Sequence, residues 1–144
     1  MAPVAAVLCG RVPHHVEYMV KNLLPKIEVV LACTTVDAAV MEIPALLKGS
    51  VSAPSSGLGT NAEGSNRSDV GLIIVGGGYS PEEFQRIRAA VEAVKAVPFF
   101  VADTSKTPAG AGPPSTEVIK KRIMESIEAE EKGEGEWAPG VYKF

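Results

Sequence analysis

Gly10 is followed by Arg11, His14 and His15, and no acid appears before Glu17. These residues surround the start of a predicted helix, where unpaired backbone N–H groups and the positive end of the dipole attract anions. The other three predicted helix starts already carry acids: Asp37, then Glu82 and Glu83, then Glu117. An acidic small molecule is therefore expected to place its anion beside Gly10, Arg11 and His14, with Gly76, Gly77, Gly78 and Ser80 as the opposite wall. On this reading Arg11→Ala abolishes anion binding. The competing expectation is that Arg11 pairs with a carboxylate such as Asp103 while both histidines stay solvated, since clustered charge marks a site only probabilistically.

His14 can serve as an acid or base because histidine titrates near neutrality. His14 and His15 diverge by about 100° on a helix, so they do not converge on one atom or one metal ion. No cysteine or carboxylate stands at zinc-site spacing from them, and no metal site is expected. Asp103 and Lys106 form a second candidate pair, suited to orienting a substrate or passing a proton. An aspartate there also suits the simpler task of closing a turn. Cys9 and Cys33 end neighbouring apolar runs at matching depth and are expected to be buried, which argues against a reactive thiolate. Neither a reaction class nor a cofactor is specified by these residues.

The elements that must position these groups are legible from pattern. Continuous apolar runs at 4–9, 27–33, 70–75 and 99–102 read as buried strands. Between them lie helical patterns. Val16, Met19, Val20, Leu23 and Leu24 share one stripe before Pro25 stops the first helix. Thr34 or Thr35 caps a second that runs to Leu47, with a break or kink expected at Pro44. Ser80-Pro81-Glu82-Glu83 opens a third with a hydroxyl cap, a proline in the first turn and early carboxylates. Ser115 caps a fourth, whose Ile119, Ile123 and Ile127 share a face.

The alternation predicts a three-layer α/β/α sandwich around a four-stranded parallel sheet, flavodoxin-like or Rossmann-like. Orders 2-1-3-4 and 3-2-1-4 both obey the right-handed crossover rule. The first is preferred because Gly10 and the 76–78 glycines then flank one switch point. Residues 1–133 are read as a single domain. Residues 49–69, rich in Gly, Ser, Asn, Ala and Pro, are expected to be a flexible surface loop. Residues 134–144 form a tail carrying Trp137, Tyr142 and Phe144.

Composition sets the outer bounds. A chain of 144 residues with 46% hydrophobic and 22% charged residues fits one globular domain that needs no metal or disulfide staple. A net charge of −3 without a basic stripe argues against nucleic acid as a partner. Apolar runs are far shorter than the roughly 20 residues that span a bilayer, so no membrane association is expected, and the two cysteines suit a cytoplasmic setting. Homo-oligomerisation, as a dimer, is the default expectation.

Resemblances are local. Dinucleotide-binding Rossmann domains carry Gly-x-Gly-x-x-Gly after their first strand, whereas this turn reads Gly10-Arg11-Val12-Pro13-His14-His15. Asp37 stands beyond the second strand rather than at its end, where the ribose-binding acid of those domains belongs. Residues 73–84 resemble the third strand and glycine turn of cobalamin-binding domains, without the Asp-x-His-x-x-Gly that supplies their axial ligand. No P-loop and no Gly-x-Ser-x-Gly elbow occurs. The expected function is binding of an anionic small molecule, nucleotides among the candidates, at the C-terminal edge of the sheet. The alternative is a non-enzymatic interaction or scaffold protein that uses its helices and aromatic tail for contacts.

Overall fold

The structure, a computed structural model, describes residues 3–51, 53–103, 115–133 and 135–144. Among them the elements run β1 (Val4–Cys9), α1 (Pro13–Asn22), β2 (Ile27–Cys33), α2 (Val36–Leu47), a short 3-10 helix (Thr60–Glu63), β3 (Leu72–Val75), α3 (Pro81–Glu92), β4 (Pro98–Val101), α4 (Thr116–Glu130) and β5 (Gly140–Lys143). Local chemistry accounts for the helix starts. Thr35 Oγ1 accepts from Ala38 N, Ser115 Oγ accepts from Val118 N, and Ser80 and Glu83 form a reciprocal capping box. Of the break or kink expected at Pro44, the break does not occur: α2 runs through it to Leu47. The proline sits in the last turn, where a missing N–H costs one bond, and Lys48 N still donates to Pro44 O at 3.1 Å.

The sheet order is β2-β1-β3-β4-β5 with every neighbouring pair parallel, a Rossmann/flavodoxin-like α/β fold. The first four strands take the preferred 2-1-3-4 order, and the expected count of four is corrected to five. The fifth strand comes from the tail. Gly140-Val141-Tyr142-Lys143 is too short and too polar to announce itself as a strand, but β4 offers an unpaired edge, and Phe144 N donates to Val101 O at 3.1 Å. The tail's aromatics are taken up inside the domain. Trp137 Nε1 donates to Ile127 O at 2.8 Å, and both Trp137 and Tyr142 pack on Phe100.

Alternation along the strands splits the core in two. Ala6, Leu8, Ile74 and Phe100 face the layer of α1 and α4, and Val7, Cys9, Ile73 and Phe99 face that of α2 and α3. Cys9 and Cys33 are register partners and fully buried, and the neighbouring Cys9 thiol, reinforced by burial, pushes the Cys33 thiol far above its ordinary range.

Within segment 49–69, expected as a flexible loop, residues 56–63 lie against the outer edge of β2. Ala32 N donates to Leu58 O at 3.2 Å and Ser56 Oγ donates to Ala32 O at 2.7 Å. Polar side chains tie the segment down beside Val51 and Leu58, which pack against the core, and composition does not register those polar pairs. Asn61, buried, exchanges two 2.9 Å hydrogen bonds with the Arg67 backbone. Arg67 donates to Glu28 at 3.1 Å, to Pro3 O at 2.8 Å and to Asp69 at 2.7 Å, while Thr60 and Ser65 hydroxyls also donate to Glu28.

Burial alone raises the Glu28 pKa, but hydrogen bonds from Ser65, Thr60 and Arg67 outweigh it and leave the carboxyl below its usual value. Asp69 is lowered too, first by its hydrogen bond from Arg67. A carboxylate whose folded pKa is depressed contributes stability that is present above its unfolded pKa and disappears as pH falls through the folded one. Stability is therefore expected to be flat from pH 7 to about 5 and to fall below about 4. Urea unfolding across this range is expected to show a shallower fall in Arg67→Met, which is itself about 1–3 kcal/mol less stable at pH 7 because Glu28 loses a partner. Equal pH slopes for the two proteins would contradict the assignment.

Candidate functional site

β1, β3 and β4 end side by side at Cys9, Val75 and Val101. β1 is followed in space by β2 on one side and β3 on the other, so the switch point falls between β1 and β3. The two glycine turns meet there. Gly76 N donates to Cys9 O at 2.8 Å, and a Cβ on Gly76 would stand 3.3 Å from that oxygen. Gly78 is held close by a side chain, since its Cβ would lie 3.3 Å from three carbons of Arg11.

A cavity of about 510 Å³ opens at this edge between α1 and α4. Its floor and walls are mostly apolar: Leu8 and Ile74 from the sheet, Val12, Val16 and Met19 from the α1 side, Ile119 and Ile123 from α4, and Phe144. Among the described residues, Arg11, His15, Asp103 and Arg122 are the ionisable side chains along it that carry nitrogen or oxygen. A cavity of this size with few convergent polar groups is the usual form of a small-molecule site.

Of the residues expected at the site, Gly10, Arg11, Gly76, Gly77, Gly78 and Asp103 line the cavity. His14 and Ser80 are not among the lining residues. His14 is exposed and rotated off the face of α1 that presents His15, Val16 and Met19, the consequence of about 100° per residue. Ser80 Oγ is committed to the α3 cap. Lys106 lies outside the described residues. Arg122 escaped the sequence reading. It stands beside the Ile119/Ile123/Ile127 stripe, and only the packing of α4 beside α1 and over β4 and β5 turns it toward the cavity.

Arg11 does find a carboxylate, but it is Glu83 of α3 rather than Asp103. Glu83 also accepts from Ser80 N at 2.9 Å, and that backbone bond, followed by the one from Arg11, holds its carboxyl below the usual range. The Arg11 guanidinium lies 4.7 Å over the Tyr79 ring. Burial pushes the Tyr79 phenol up, and its hydroxyl donates to Cys33 O at 3.4 Å. α1 itself is preceded by Val12, which gives no side-chain cap, and has Pro13 as its first residue and no acid in its first turn. Among the described residues no group of three or more His, Cys, Asp or Glu is placed to hold a metal ion, and no helix is long and apolar enough to cross a membrane.

Fold and cleft together define the class: an α/β protein with a doubly wound parallel sheet and a cavity at its switch point. Aligned over 131 residues, the chain is 30% identical to Kojic acid related protein 6 of Aspergillus oryzae, covering 88% of this chain and 77% of that protein. It belongs to the family of that protein. No family model matches the chain, and no solved structure gives a significant match.

Proposed function

We propose that this protein binds an anionic small molecule in the cavity between α1 and α4. The observation that carries the reading is the cavity itself, about 510 Å³ at the C-terminal edge of a parallel sheet, with Arg11, His15, Asp103 and Arg122 along a mostly apolar lining. Gly76, whose Cβ would stand 3.3 Å from Cys9 O, keeps the turn backbones after β1 and β3 close enough to form one wall.

The test is thermal stability of the purified chain against nucleotides, flavins, small organic phosphates, carboxylic acids and kojic acid. The last is included because it appears in the relative's name. A ligand at 100 times its dissociation constant adds about 2.7 kcal/mol, a shift of several degrees for a chain of this length. Ile119→Trp, a partly buried α4 position facing the cavity, is expected to remove that shift while leaving the circular dichroism of the free protein unchanged. Arg11→Ala uncovers the Glu83 carboxylate and weakens anion binding, and Glu83→Gln in the same chain restores part of it. A shift that survives Ile119→Trp unaltered moves the site elsewhere, and no shift across the panel favours the interaction-protein reading.

A further inference from the structure

The charges around the cavity are not equivalent. Arg11 is answered by Glu83, and Asp103 is engaged in an interaction of its own. Arg122 lines the cavity with no hydrogen bond or ion pair to any other described residue. Its helix offers no remedy. The positions three and four residues away are Val118, Ile119, Glu125 and Ser126, and the one acid among them, Glu125, stands 3.9 Å from Lys121. The cavity is thus left with one guanidinium whose fork of N–H donors is unused.

We propose that Arg122 is the anion anchor of this cavity and that the ligand is an amphipathic acid, one carboxylate carried on an apolar chain or ring. This rests on the anion-binding reading above and narrows it. A carboxylate matches a guanidinium in a bidentate pair. The apolar body is called for by Leu8, Met19, Ile74, Ile123 and Phe144, which offer hydrocarbon and no donors. A phosphate or polyphosphate suits the cavity poorly. One unanswered cation does not balance two or three negative charges, and Glu83 and Asp103 stand nearby.

Binding of octanoate, 4-phenylbutyrate, octanamide, inorganic phosphate and AMP to the full chain separates the alternatives. Octanoate or phenylbutyrate is expected to bind, with octanamide weaker by roughly tenfold or more because the charge-assisted bond is missing. Arg122→Met keeps an unbranched stem and is expected to weaken the acids by roughly the same factor. Lys121→Met, which removes one positive charge from the exposed side of the same helix, is expected to leave them unaffected. Equal binding of octanoate and octanamide overturns the anchor, and so does undiminished octanoate binding in Arg122→Met; either result leaves the cavity as a site. The amide comparison uses the unaltered chain and holds even if the variant misfolds. Binding of AMP or phosphate but of neither acid overturns the amphipathic ligand and retains an anion site. Binding of no probe at all overturns both readings.

Discussion

Trp137→Ala is expected to lower stability by about 3–5 kcal/mol, the range for truncating a large buried aromatic. Domains are stable by only about 5–15 kcal/mol, so this one change removes a large share. Trp137 is 8% exposed, meets Phe100 edge-on with ring centroids 6.4 Å apart, and gives its N–H to Ile127 O. Truncation opens a cavity between β4 and α4 and leaves that carbonyl without its partner. A second tie fastens the same region. Lys26 donates to Glu131 at 2.8 and 3.0 Å, and Glu131 accepts from Gly135 N at 2.6 Å. The chain has one tryptophan, so unfolding is best followed by circular dichroism rather than fluorescence. Removal of residues 134–144 goes further, stripping β5 from the sheet and Phe144 from the core, and is expected to give a strongly destabilised chain. A loss below about 1 kcal/mol in Trp137→Ala would contradict a role for the tail in the core.

Gly59→Ala is expected to cost roughly 3 kcal/mol or more, combining a glycine-only backbone conformation with a collision. Gly59 has φ 109 and ψ 154, and a Cβ there would lie 2.7 Å from Val30 O, 2.9 Å from Val30 C and 3.0 Å from Leu31 Cα. All three neighbours are backbone, so no rotamer change relieves the contact. Gly57→Ala is the control. Its φ of 74 is also positive, but a Cβ would meet nothing within 4 Å, and the expected cost is only about 1–2 kcal/mol. Urea midpoints for the two variants test whether segment 49–69 is docked on β2. Docking predicts a clear gap between them, and equal midpoints would show a segment free to move away.

The strands and helices were legible because apolar runs and caps are local. The Ser80 capping box, the Thr35 and Ser115 caps and the bounds of β1 and β2 all follow from residues within a few positions of one another. Segment 49–69 was read from its lack of apolar residues. Much of what holds it is polar pairs between residues far apart in the chain, such as Ser56 with Ala32, 24 residues away, and Arg67 with Glu28, 39 residues away. Composition carries no trace of such partners.

The candidate site divides along the same line. The sequence by itself determined that glycine turns follow β1 and β3, that Arg11 stands at an acid-free helix start, and that α4 has an isoleucine face, because each depends on neighbours in the chain. Tertiary structure decided the rest. It gave Arg11 to Glu83, 72 residues away, turned His15 rather than His14 to the cavity, brought Arg122 to its wall and made a strand of the tail. Those outcomes depend on how helices pack across a sheet. A side chain's partner is set there by the layer its helix joins and the angle at which it faces that layer, and neither is recorded in the order of residues along one element.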